Sequence, residues 1–267
     1  MTSPQSSSTP SLSISPIPSL LRRVLEQYHQ DKSLDQQTVS WICHDPCLSS
    51  HVLRAVNSTL NGFPRQLTSV HQSLKLIGPQ LLQRLLAEVE DKAPQAESGN
   101  QSSSTHFSAP WRCALKTAVF AEQLVLSLQG QSSQAEALMT PEEAFSAGLL
   151  HNIGDFAEET QGQIEETPVL GVQLAQQWNF SHAMQSVIAY HQSPHQFQSE
   201  SDESQDLVMI IAIAKRFIQD MTLSPAMFGW LYSHIALEED DFETWRERFI
   251  AEAEECYDAR LRWVSSI

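Results

Sequence analysis

Apolar positions recur along this chain with helical spacing almost throughout. Ile17, Leu20, Leu21, Val24, Leu25 and Tyr28 fall at i, i+3, i+4, i+7, i+8 and i+11, one buried face of an amphipathic helix. Ser33 can cap a second helix carrying Leu34, Val39, Ile42 and Cys43. Asp45-Pro46 restarts the chain, with Asp as N-cap and Pro at the first helical position, where its missing N–H costs nothing. That third helix presents Leu48, Val52, Leu53 and Val56. After the turn Asn61-Gly62-Phe63-Pro64, Ser69 and Gln72 resemble a capping box for a helix with Val70, Leu74 and Ile77. Gly78-Pro79 stops it and starts another, with Leu81, Leu82, Leu85, Leu86 and Val89. No segment alternates with period 2 convincingly, so no strand is expected.

The stretch from Ala93 to Ala109 is polar and Ser-rich and buries too little to order itself, which makes residues 93–109 a linker between two helical subdomains. Pro110 opens a long helix with an inner face of Trp111, Leu115, Ala118, Val119 and Val125. Thr140-Pro141-Glu142-Glu143 combines an N-cap, a Pro at N1 and a Glu at N3, and the helix it starts runs through Phe145 and Leu149 to His151. Thr167-Pro168 begins a helix with Leu170, Leu174 and Trp178, and Ser181 begins a short one ending near Tyr190-His191. Leu207 to Ile218 is the most apolar segment and is expected at the centre of this half. Residues 221–267 are an acidic helical extension, with Phe242, Trp245, Phe249, Ala253 and Trp263 on the inner face of its amphipathic helix.

Charge narrows the partners. The formal net charge of −16 lies wholly beyond residue 110, because the first 110 residues balance. An excess of that sign speaks against nucleic acid, which needs clustered Lys and Arg, and against a polybasic membrane anchor. Cys43, Cys47, Cys113 and Cys256 show no metal-ribbon spacing, so reduced thiols and a cytoplasmic location are expected. No apolar run is long enough for a membrane span. Residues 1–16, rich in Ser and Pro, read as a disordered tail rather than a signal peptide. The sequence shows no GxSxG, Walker, GxGxxG or HExxH motif.

Two stretches resemble the HDOD family, a branch of the HD superfamily found in bacterial signalling proteins. One runs from Asp45-Pro46-Cys47-Leu48 through Asn57-Ser58 and Gly62-Phe63-Pro64-Arg65 to Leu76-Ile77-Gly78. The other is Gly148-Leu149-Leu150-His151-Asn152-Ile153-Gly154, followed by Leu170-Gly171, Trp178 and Ile188-Ala189-Tyr190-His191. The resemblance implies an all-α fold in which an N-terminal helical bundle (residues 17–92) packs on an HD-like helical bundle (residues 110–220). It also implies that Asn57-Ser58 and Arg65 cap or bridge helix ends around a turn.

An HD phosphohydrolase converges His and Asp side chains on divalent cations that activate water and polarise phosphate. The positions that match the pattern here are Cys113, His151, Asn152, Thr167 and His191, of which only His151 and His191 keep their histidine. Asn152 stands where the pattern has Asp, and Cys113 and Thr167 stand where it has His. The expectation is therefore a vestigial site with no catalytic residue and no metal cofactor, in which His151 is a buried histidine hydrogen-bonded inside the bundle. His151 with Asp155 and His191 with His195 are weaker pairings, because Gly154 and Pro194 interrupt them. The other histidines (His29, His44, His51, His71, His106, His182, His234) are expected at the surface or its boundary.

The resemblance with eroded ligands implies a non-catalytic regulatory protein that binds a protein partner or a small signal and leaves room for a homodimer. Its expected surfaces are the acidic C-terminal helix and an apolar groove between the halves. The alternative is a metal-dependent phosphohydrolase of a nucleotide or phosphoester, with a divalent ion held by His151, Asp155 and His191.

Overall fold

A buried aspartate sets the geometry of the N-terminal half. In the computed structural model, which describes residues 13–31, 34–59, 66–92, 107–130, 139–158, 167–197, 202–235 and 241–266, Asp45 is fully buried. Its Oδ1 accepts the backbone N–H groups of Cys47 at 2.8 Å and Leu48 at 3.0 Å, capping the helix that Pro46 begins. Its Oδ2 accepts the N–H of Ile17 at 2.7 Å, so the same carboxylate ties the segment before the first helix to the centre of the bundle. Five helices form this half: α1 (Pro18–Asp31), α2 (Gln36–Cys43), α3 (Pro46–Thr59), α4 (Val70–Leu76) and α5 (Pro79–Lys92). α3 is its axis, buried at every residue from Pro46 to Leu53.

Seven helices follow: α6 (Ala109–Gln129), α7 (Pro141–Leu150), α8 (Thr167–Gln177), α9 (His182–Tyr190), α10 (Asp202–Ile218), α11 (Pro225–His234) and α12 (Phe242–Ser265). Thr140 and Glu143 close the capping box expected for α7. α6 and α7 pack so closely that a Cβ on Gly148 would lie 2.5 Å from Ala118 Cα and 2.7 Å from Ala118 N. Only glycine permits that approach. α10 lies against α6, α7 and α9, with Ile210, Ile211, Ile213 and Ala214 inaccessible.

The expected all-α architecture of two packed bundles is what forms, and the departures from the sequence reading are local. Ser13–Ile14 pairs antiparallel with Ala157–Glu158, where no strand was expected, and Ile14 is buried although it falls in the stretch read as a disordered tail. A backbone pairing two residues long is too short to show a sequence period, which is why the pattern was silent. Asp35, not Ser33, caps α2 by accepting the N–H of Thr38, and Ser33 lies outside the described residues. Phe107, placed in the linker, stacks on Trp111 with ring centroids 4.0 Å apart. His44 and His51 are buried rather than at the surface, packed against Phe145 and Trp178 respectively. α11 had not been resolved as a separate helix.

The halves are joined by directed polar bonds as well as by packing. Asn57 bridges the end of α3 to the segment before α4, donating to Leu67 O at 3.0 Å and accepting the Leu67 N–H at 2.8 Å, as the resemblance implied. Arg65 lies outside the described residues. Gln66 donates to Asn179 Oδ1 at 3.0 Å, Thr68 and Ser181 hydroxyls meet at 2.8 Å, and Trp111 Nε1 donates to His44 O at 3.0 Å. α12 packs along α6 through Phe249 against Phe120, so it belongs to the core of the fold. Its Arg260 pairs with Glu122 of α6 at 2.9 Å and lies over the Phe145 ring. Trp263, expected on the inner face, is half-buried against His44.

Replacing Gly148 by Ala forces α6 and α7 apart and is expected to cost about 3 kcal/mol in urea denaturation. A loss within experimental error would mean that the two backbones are not in contact.

Candidate functional site

α7 ends at Leu150, and the chain turns directly into a 3-10 segment, Ile153–Phe156. His151 sits at the junction, 1% exposed, with Nδ1 2.7 Å from Gly148 O. A carbonyl only accepts, so Nδ1 carries the proton and Nε2 is left with a bare lone pair. His151 is thus the buried, hydrogen-bonded histidine expected from the sequence. Asn152 turns its amide nitrogen to Pro110 O at 3.2 Å and Asp155 Oδ2 at 3.0 Å. His191 occupies the matching position after α9, with Nδ1 donating to Val187 O at 3.0 Å. The two imidazoles meet edge to face with centroids 4.9 Å apart.

These groups line one pocket of about 80 Å³ together with Cys113, Asp155, Gln192 and Lys215. Gly171 of α8 closes another side, where a Cβ would meet Ile188 Cγ2 at 3.0 Å and Gly154 N at 3.3 Å. Burial holds the His151 imidazole well below its usual range, and the nearby Lys215 charge pushes the same way. Burial and Lys215 likewise bring His191 down to about 4. Both rings are neutral near pH 7.

The pocket gathers Cys113, His151, Asn152 and His191, four of the five positions matched to the motif, together with Asp155. Thr167 opens α8, whose next residue, Pro168, lines the pocket. His151 and Asp155 do not share a helix face, because α7 stops between them and Asp155 is exposed. His195 is exposed on a separate 3-10 turn, Pro194–Gln196, and does not reach the pocket. Lys215 was missed. Its signal was present, a lysine inside the most apolar helical run of the chain.

A divalent metal does not fit this donor set. Among the described residues no three His, Cys, Asp or Glu side chains come together as ligands. The residue after His151 offers a neutral amide, and the pocket already contains a lysine.

A larger recess of about 360 Å³ lies between the halves, bordered by α12. The groove expected there was apolar. The recess instead presents His44, His71, Glu122, Glu142, Ser146 and Arg260 beside Phe145 and Val39.

Replacing His151 by Ala leaves a cavity and removes the bond to Gly148, and is expected to cost about 2–4 kcal/mol, read by urea denaturation. Stability is also expected to fall in mild acid. His44, His151 and His191 are depressed from 6.5, with His44 and His191 near 4, so their contribution is full above pH 6.5 and is lost as pH drops toward 4. Asp45 opposes them. Burial pushes it from 3.8 up to about 7 against its three N–H donors, so its cost grows as pH rises through that window. Three groups against one leave a net loss, at about 1 kcal/mol per pH unit for each uncompensated histidine. Denaturation midpoints that do not fall between pH 6.5 and 5 would show that the buried histidines are not neutral.

Comparison with known protein families matches residues 14–161 to the HDOD domain and residues 113–219 to the HD domain. An uncharacterized protein of Treponema pallidum (strain Nichols) is 25% identical over 234 residues, covering 77% of this chain and 43% of its own length. The chain thus spans less than half of that relative. Among solved structures, the MmoQ response regulator of Methylococcus capsulatus str. Bath superposes with a TM-score of 0.57 at 19% identity, covering 89% of this chain and 98% of that one. A virulence factor of Campylobacter jejuni subsp. jejuni gives a TM-score of 0.47 at 14% identity, covering 82% and 84%. The first of these likenesses shows the shared fold. With the HDOD match spanning more than half of its length, and with Asp45, Asn57 and His151 in the structural roles described above, this chain belongs to the HDOD family.

Proposed function

We propose that the chain is a non-catalytic regulatory HDOD protein of the bacterial cytoplasm, acting by binding a protein partner or a small signal and needing no cofactor. The observation that carries this reading is the pocket at the end of α7. Where a phosphohydrolase would gather anionic and imidazole ligands, Asn152 spends its amide on Pro110 O and Asp155, and Lys215 adds a positive charge. A cation beside the site raises the cost of bringing a divalent ion there. The volume of about 80 Å³ is also small beside the several hundred Å³ of ordinary small-molecule sites.

The recess between the halves is the better place for a small signal. It is of ligand size, and it draws on α2, α4, α6, α7 and α12, so an occupant there would touch both bundles at once. Among the described residues no helix is long and apolar enough to cross a membrane. The acidic surface favours a protein partner over nucleic acid.

Elemental analysis and turnover of a generic phosphodiester test the proposal together. The purified protein is expected to carry no stoichiometric Mn, Fe, Mg or Ni and to show no hydrolysis. Stoichiometric metal together with turnover that His151→Ala abolishes would establish the phosphohydrolase instead.

A further inference from the structure

The pocket at the end of α7 contains two buried polar atoms without partners, His151 Nε2 and Asn152 Oδ1. Both are acceptors. His151 has committed its ring proton to Gly148 O, and Asn152 has committed its amide hydrogens to Pro110 O and Asp155. A buried acceptor left unpaired costs about 1–3 kcal/mol, so two on one wall call for a donor. Lys215 lines the same pocket from α10. Its ammonium has three donors and no acceptor capacity, and among the described residues no hydrogen bond or ion pair takes them up.

We propose that Lys215 is a tethered cation standing in for a divalent metal: it makes no direct bond to His151, Asn152 or Asp155 as the side chains stand, but its flexible stem holds the ammonium in the pocket they line, where it supplies their positive charge. An ammonium and a metal ion ask the same thing of a site, lone pairs converging on a positive charge. Here the charge comes on a covalent stem, so no ion has to be recruited and none can enter. Burial pulls the Lys215 ammonium below its usual range, and Cys113 and Asp155 beside it offset part of that, while burial keeps both histidines neutral with lone pairs to offer. An anion drawn to Lys215 would meet two bare acceptors and a carboxylate, so anions are disfavoured in the pocket as well. The inference rests on the non-catalytic reading and says what replaced the chemistry.

The test compares the wild-type chain with Lys215→Met, which keeps the volume of the stem, Lys215→Gln as a second neutral variant, and Lys215→Arg, which keeps the charge. Each is freed of metal with a chelator. Thermal melting and calorimetric titration then use MnCl₂, NiCl₂, ZnCl₂ and methylammonium chloride in turn. Wild type and Lys215→Arg are expected to respond to none of them. Lys215→Met or Lys215→Gln gains a melting-temperature rise with methylammonium or a divalent ion, and Asn152→Asp added to either tightens the divalent ion roughly tenfold or more. If folded neutral variants bind no cation, or bind no better than wild type while wild type shows no turnover, the tethered cation is overturned and the non-catalytic reading stands. If wild type holds stoichiometric metal and hydrolyses a phosphodiester, both are overturned.

Discussion

The backbone contact between Gly148 and Ala118 is the constraint from which the pocket follows. Because α7 can lie directly on α6, its end arrives beside the start of α6, where Pro110 offers a carbonyl and Cys113 a thiol. A side chain at position 148 would separate the helices and move His151 and Asn152 away from those partners. The same close packing drives water from His151, and dehydration is the main reason the ring stays neutral. A second close approach, Gly171 against Gly154, brings α8 onto the 3-10 turn and closes the far wall.

Around that pocket the molecule is organised to hold two bundles in one relation. Hydrophobic burial alone is non-directional and would tolerate some sliding. The bonds from Gln66 to Asn179, Thr68 to Ser181, Val70 N–H to Ser146 and Trp111 to His44 fix the register. Asn179 takes a left-handed backbone conformation, φ 55°, that places its amide between the halves, and asparagine adopts that conformation more readily than most residues. α12 adds a third tie through Arg260, which reaches Glu122, Phe145 and the acceptor nitrogen of His44. A protein proposed to work by association gains from such rigidity, because a surface made by several helices then keeps its shape.

Much of this is legible in the sequence. Apolar period 3.6 marked all of the long helices except α11, and the Asp45, Ser69, Thr140 and Ser181 caps stood where a side-chain oxygen precedes an apolar run. Local chemistry governs these features, so local sequence displays them. The buried His44 and His51 were not legible. Each has a polar residue on one side in the chain (Asp45, Ser50) and packs against rings, Phe145 and Trp263 or Trp178, that arrive from distant segments. The Ser13–Ile14 pairing was hidden for the same reason, since its partner strand, Ala157–Glu158, is more than a hundred residues away.

The candidate site divides along the same line. Sequence by itself determined that the HD positions carry Cys113, Asn152 and Thr167 in place of stronger ligands, because the identity of a ligand atom is a property of its residue. It also determined that His151 ends a buried helix. Only the tertiary structure decided that His151 Nε2 and Asn152 Oδ1 are buried without hydrogen-bond partners, and that Lys215 lines the same pocket as their residues. Lys215 is 64 residues from His151, and neither residue type announces the other. Their meeting depends on how α10 packs across α7 and α9, a relation that lies in distances between helices rather than in the order of residues along any one of them.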